Sequence, residues 1–152
     1  MNWDAIGAIG EIAGAIAVII TIGYLALQMR QNTRSVQSAA AQQILEGLAE
    51  LNQFLGSDPQ INDLWWRGLQ DPESLSDEEL HRLLTLASSL VQRFELLFLN
   101  HRQGFVPHGV WEAQSRNMER VFGTPGIQRW FSQFGSGVHA EFRKYIEART
   151  GP

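Results

Sequence analysis

Few residues of this chain have types and spacing suited to chemistry, and the first is Glu11. It is the one charged side chain inside the apolar run Ala5–Leu27. A carboxyl group in such a stretch is costly in lipid, and by default it serves helix association or ion passage. A position near the headgroups, where it snorkels or is protonated, is the plainer alternative. Gly7, Gly10, Gly14, Ala17 and Thr21 recur around it at spacings of three and four, on one stripe of a helix. Gly10-x-x-x-Gly14 is a small-xxx-small pair, which lets two helix backbones approach closely. A lone span has no helix of its own to pack against. The set Gly7, Gly10, Glu11, Gly14 and Ala17 therefore predicts a helix-association face. Its partner is a second copy of the chain or another membrane-protein subunit.

The remaining ionisable groups give weaker signals. His81, His101, His108 and His139 show no i, i+4 pairing and no H-E-x-x-H pattern. His101 and His108 flank one loop and could meet Glu95 or Glu112 around a metal, although loop and surface histidines explain them as well. Glu95 lies between Val91 and Phe98 at the edge of an apolar stripe, with Arg93 and Arg102 near in sequence. A structural ion pair among Arg93, Glu95 and Arg102 fits better than a catalytic carboxylate. Trp65, Trp66, Trp111, Trp130, Phe131, Phe134 and Phe142 resemble a stacking box, yet their helical spacing points to core. Trp65 and Trp66 are adjacent and so roughly 100° apart on a helix, which leaves one of them free to be exposed or to face a partner chain. No phosphate loop, dinucleotide fingerprint, nucleophile elbow or zinc spacing is present. The expectation is no catalytic residue, no metal, no cofactor and no enzyme.

The element that must carry Glu11 is long and apolar. Roughly 20 apolar residues at ~1.5 Å each match the ~30 Å hydrocarbon core of a bilayer. A signal peptide would have a basic start, a shorter core and a nearby small-residue cleavage site. Here the start is MNWD, and the small cluster Ser38–Ala41 lies beyond Arg30 and Arg34. Those two arginines follow the run and Asp4 precedes it, so the positive-inside rule predicts an outer N-terminus and a cytoplasmic C-terminal part. Trp3 and Tyr24 suit the two interfaces. The expected division is a transmembrane anchor over 1–28 and a cytoplasmic helical domain over 29–152.

Composition agrees with such a domain. The 152 residues are 44% hydrophobic, carry a net charge of −4 and include no cysteine. Mild acidity argues against nucleic acid as a partner, and Lys144 is the only lysine. About 125 residues beyond the run suffice for one modest core.

All the periodic signals are helical. Gln28–Gln43 lacks Gly and Pro, so the first helix has no reason to stop at the membrane surface. Val36, Ala40, Ile44, Leu48, Leu51 and Leu55 extend it at spacings of three and four, to about residue 55. Asp58-Pro59 and Ser76-Asp77-Glu78-Glu79 open two further helices, the second with a capping box. A long Leu/Phe stripe runs from Leu80 to Phe98. His108–Phe122, a helix starting at Thr124-Pro125, and a last one with Val138, Phe142, Tyr145 and Ile146 complete the set. No segment alternates with period two, so no strand is predicted. The fold class is all-α, one N-terminal transmembrane helix continuing into a long helix, packed with a small soluble bundle.

The pieces NWDAIGAIGEIAGA, YLALQMRQNT, WWRGLQDPESLSDEE, HRQGF, TPGIQRWF and FRKYIE together resemble a family of bacterial membrane-anchored helical proteins to which no activity is assigned. The resemblance covers nearly the whole chain. It implies the architecture above and a bacterial inner (cytoplasmic) membrane, and it brings no catalytic residue with it.

Three functions follow from these residues. The first is a non-enzymatic single-span protein that assembles with itself or serves a larger membrane complex. The second is a small oligomeric channel with Glu11 near the pore. The third is a tethered sensor or enzyme with a pocket among the soluble helices.

Overall fold

Asp58 and Pro59 end one helix and begin the next in a single step. The Asp58 side chain accepts the Gln60 backbone N–H at 2.7 Å, and Pro59 occupies the first helical position, where no N–H is required. The computed structural model describes the backbone of residues 3–151 and the side chains of residues 10–151 except Ala13. Among the described residues there is no strand. The helices are α1 (Trp3–Ser57), α2 (Pro59–Gln70), α3 (Asp77–Arg102), α4 (His108–Phe122), α5 (Pro125–Phe134) and α6 (Ala140–Thr150). Short 3-10 turns at Pro72–Ser74 and Gly135–Gly137 precede α3 and α6. The all-α reading of the sequence is therefore met. The side chains of Trp3, Asp4 and Gly7 lie outside the described residues.

Local chemistry explains the helix ends. Ser76 accepts the Glu79 N–H, and Glu79 returns the bond to the Ser76 N–H at 2.9 Å, closing the capping box of α3. At the other end of α3, Gly104 takes φ +77°. The Phe105 N–H then reaches the Asn100 carbonyl at 2.8 Å and the Gly104 N–H reaches that of His101 at 3.0 Å. This is a Schellman stop, which glycine enters without a Cβ clash. Thr124 precedes α5 but does not cap it; its hydroxyl donates back to the Val121 carbonyl. Val138 falls in the turn before α6 rather than in the helix, and His139 caps α6 through Nδ1.

The chain divides into two units, Met1–Val36 and Gln37–Pro152. Every described side chain from 10 to 36 is exposed, including Val36 at 49%. Burial starts at Gln37, whose amide donates to the Gly104 carbonyl at 2.9 Å. The apolar stripe of α1 accordingly opens at Ala41 and runs through Ile44, Leu48, Leu51 and Leu55.

Within Gln37–Pro152, α3 is the central helix and packs on α2, α4, α5 and α6. Its Leu83, Ala87, Val91, Phe94 and Leu97 are almost wholly buried. Phe94, Phe122 and Phe142 meet edge to face, at 5.6 Å and 5.9 Å between successive ring centroids. The aromatic residues split as helical spacing requires. Trp65, Trp130 and Phe142 are buried, while Trp66 is 57% exposed and Phe134 also faces out.

Candidate functional site

The sequence points first to α1. Of its helix-association set, Gly10, Glu11, Gly14 and Ala17 are exposed, and Gly7 has surroundings outside the described residues. A Cβ added at Gly10 or Gly14 would meet nothing within 4 Å, so these glycines serve no packing purpose inside the chain. The same stretch shows Ile12, Ile16, Val18, Ile19, Ile20, Ile22, Leu25 and Leu27 to the surroundings, each at least half exposed. α1 is the one helix among the described residues long and apolar enough to cross a membrane; its most apolar 18 residues have mean hydropathy 2.1 and none of them is buried. The Thr21 hydroxyl is satisfied within the helix, by the Ala17 carbonyl at 2.8 Å.

The proposed ion pair among Arg93, Glu95 and Arg102 is not formed. Arg93 approaches Glu50 at 4.0 Å, and Arg102 pairs with Glu141 at 3.5 Å. Glu95 instead accepts the backbone N–H of His139 at the start of α6. Helix geometry explains the correction. Residues two apart point about 200° from each other, and Glu95 and Arg102 are seven residues or about 10 Å apart along the axis.

The histidines are also dispersed. His101 stacks flat on Trp111, with ring centres 4.3 Å apart. His108 faces Glu112 at 3.7 Å on the surface. Among the described residues, no three His, Asp or Glu side chains gather around a common point.

Two polar clusters do assemble. Glu119 receives the Tyr145 hydroxyl at 3.2 Å and Arg149 Nε at 2.8 Å, while the Arg149 guanidinium lies 3.8 Å from the Tyr145 ring centre. Burial pushes the Tyr145 phenol above its ordinary value, against the opposing pull of Arg149. Arg67 joins Glu79 at 2.7 Å. The Ser76 N–H, then Arg67, then the Ser76 hydroxyl lower the Glu79 carboxyl to about 2. Both clusters fasten helix to helix, and Glu79 also borders an open groove of about 570 Å³ with Phe54, Ile61, Leu64 and Leu86.

One cleft has a different chemistry, and the sequence reading missed it. A cleft of about 700 Å³ opens between the C-terminal part of α1, α2 and α4, over α3. Each helix contributes one face. Leu45, Leu48, Asn52 and Leu55 come from α1; Asn62, Trp65, Trp66 and Leu69 from α2; Gln114, Asn117 and Val121 from α4; and Thr124 from the start of α5. Leu90 and Phe94 of α3 form the floor. Gln70 and Arg120 complete the polar rim. Arg120 is the only ionisable lining residue; it donates to Asn117 Oδ1 at 2.7 Å. Among the described residues, Asn52, Gln70 and Gln114 have no side-chain hydrogen bond. The one available signal was the amide-rich face Gln114-x-x-Asn117-x-x-x-Val121, too polar for core and uncharged.

Comparison with known protein families, with curated proteins and with solved structures returned no match. The chemistry of α1 and of the cleft must therefore be read from their own residues.

Proposed function

We propose that this chain is a non-enzymatic, single-span membrane protein whose helical unit is held at the bilayer. It assembles with itself or serves as an accessory subunit of a larger membrane complex. The observation that carries this reading is the uncovered apolar surface of α1 between Gly10 and Leu27. A core helix of a water-soluble protein would bury one face of such a segment. At roughly 0.3–0.6 kcal/mol for each Ile, Val or Leu, inserting the eight exposed ones is worth on the order of 4 kcal/mol. An acidic group at a helix centre opposes this by about 2.5–3.5 kcal/mol on the same scale, and by less near a helix end. The balance supports insertion with Glu11 towards the headgroups. The resemblance to bacterial membrane-anchored proteins supports the cytoplasmic membrane, and Arg30 and Arg34 support a cytoplasmic Gln37–Pro152.

Self-assembly is supported by the empty space beside Gly10 and Gly14. The absence of cysteine allows a clean test. Asn2→Cys and Ser136→Cys variants are expressed and treated with a membrane-impermeant maleimide. Both should stay in the membrane after alkaline carbonate. Asn2→Cys should label on intact spheroplasts, and Ser136→Cys only after lysis. Release by carbonate would overturn the anchor, and the reverse labelling would overturn the orientation.

A further inference from the structure

The cleft between α1, α2 and α4 lies outside the membrane reading and does not depend on it. Its volume, about 700 Å³, is within the range of roughly 300–1,000 Å³ typical of small-molecule sites. The base is apolar, with Leu48, Trp65, Leu90 and Phe94. The rim carries the side-chain amides of Asn52, Asn62, Gln70, Gln114 and Asn117, which donate and accept without charge. Arg120 supplies the only charge, and no carboxylate lines the cleft.

These features select a ligand class. A cation would find no anionic partner. A phosphate would find one guanidinium, no lysine and one helix N-terminus, that of α5 at Thr124, whereas phosphate recognition gathers several such donors. A wholly apolar molecule would leave the rim amides without partners, which costs affinity. A planar carboxylate matches one planar guanidinium, two N–H groups to two oxygens. Its apolar body would lie beside the exposed indole of Trp66. We propose that the cleft binds an apolar monocarboxylate, with the carboxylate on Arg120 and the hydrocarbon part against Leu45, Trp66 and Val121, the apolar lining residues that keep exposed surface.

Free fatty acids and aromatic acids share this chemistry, and two probes separate them. The full chain in lipid nanodiscs is titrated by calorimetry with 1-naphthaleneacetate and with octanoate, using empty nanodiscs as the reference. At least one acid should bind saturably, one per chain. Binding of octanoate assigns the site to acyl chains, and binding of naphthaleneacetate alone assigns it to aromatic acids. The neutral amide of the bound acid should bind at least tenfold more weakly. Arg120→Gln should bring the acid to the affinity of its amide while the helical circular dichroism is unchanged. Ala49 is exposed and lines the cleft, so Ala49→Trp should block binding without disturbing the core. Equal binding of acid and amide, an unaffected Arg120→Gln or Ala49→Trp variant, or no binding of either acid would overturn the proposal. Binding of a peptide C-terminus where neither free acid binds would also overturn it, in favour of a protein tail.

Discussion

Trp130 and Ser88 are joined across the core: the indole Nε1–H of α5 donates to the Ser88 hydroxyl of α3 at 2.7 Å. The hydroxyl in turn donates to the Leu84 carbonyl at 2.9 Å. Trp130 is buried, so its N–H has no recourse to water. Ser88→Ala should destabilise the helical unit by about 1–3 kcal/mol, the usual cost of an unpaired buried donor. Trp130→Phe in the Ser88→Ala background should cost less than it does alone. Urea unfolding of the four proteins in nanodiscs checks this, and strictly additive midpoint shifts would refute the coupling.

Gly126 stands where α5 meets the end of α2. A Cβ there would lie 2.9 Å from Leu69 Cα and against the Gly68 carbonyl, both backbone atoms that cannot turn aside. Gly126→Ala should cost about 1–3 kcal/mol by overpacking. Gly47→Ala offers a contrast, because only the flexible tip of Arg93 is in the way. Alanine gains up to about 1 kcal/mol of helix propensity there. The expected result is a lowered thermal midpoint for the first variant and an unchanged or raised one for the second.

Glu79 links stability to pH. Its carboxyl is lowered from the ordinary 4.5 to about 2, chiefly by the Ser76 N–H and then by Arg67. A depressed carboxyl stabilises the fold above its unfolded value, and the contribution is lost as pH falls from about 4.5 towards 2. Glu79→Gln should lower the melting temperature at pH 7 and narrow its gap to the parent as pH falls through that window. A gap that stays constant from pH 7 to pH 2 would contradict this role.

The glycines of α1 test self-association. Gly10→Leu and Gly14→Leu place branched side chains where the backbone now faces open space. Both variants should insert normally and shift towards monomer by cross-linking or native mass spectrometry in detergent. An unchanged distribution in both would remove this interface, leaving Glu11 and Ala17 without a shared face.

Much of the fold was legible because its punctuation is local. Asp58-Pro59, the Ser76/Glu79 box and Gly104 each act on backbone within a few residues, so their meaning survives without tertiary context. The length of α1 was equally readable, since hydrophobicity and the lack of Gly or Pro over Gln28–Gln43 are properties of the chain itself. Which face of the next stripe is covered was not: Val36 has the right type and spacing, yet burial begins at Gln37. His139 as a cap was missed because its backbone geometry is set by the preceding turn, and its N–H finds Glu95, 44 residues away.

The helices, their order and one apolar segment able to span a bilayer were thus determined by sequence alone, through short-range backbone chemistry and hydrophobic period. Tertiary structure decided the side-chain partners. It sent Arg93 to Glu50, Arg102 to Glu141 and Glu95 to a backbone N–H, because Arg93 and Glu95 point to opposite sides of α3 and Arg102 lies about 10 Å further along it, while groups on neighbouring helices converge. It also made a cleft from three helix faces whose amides, read one helix at a time, are ordinary surface residues. Only their arrangement around Arg120 gives them a common ligand to face.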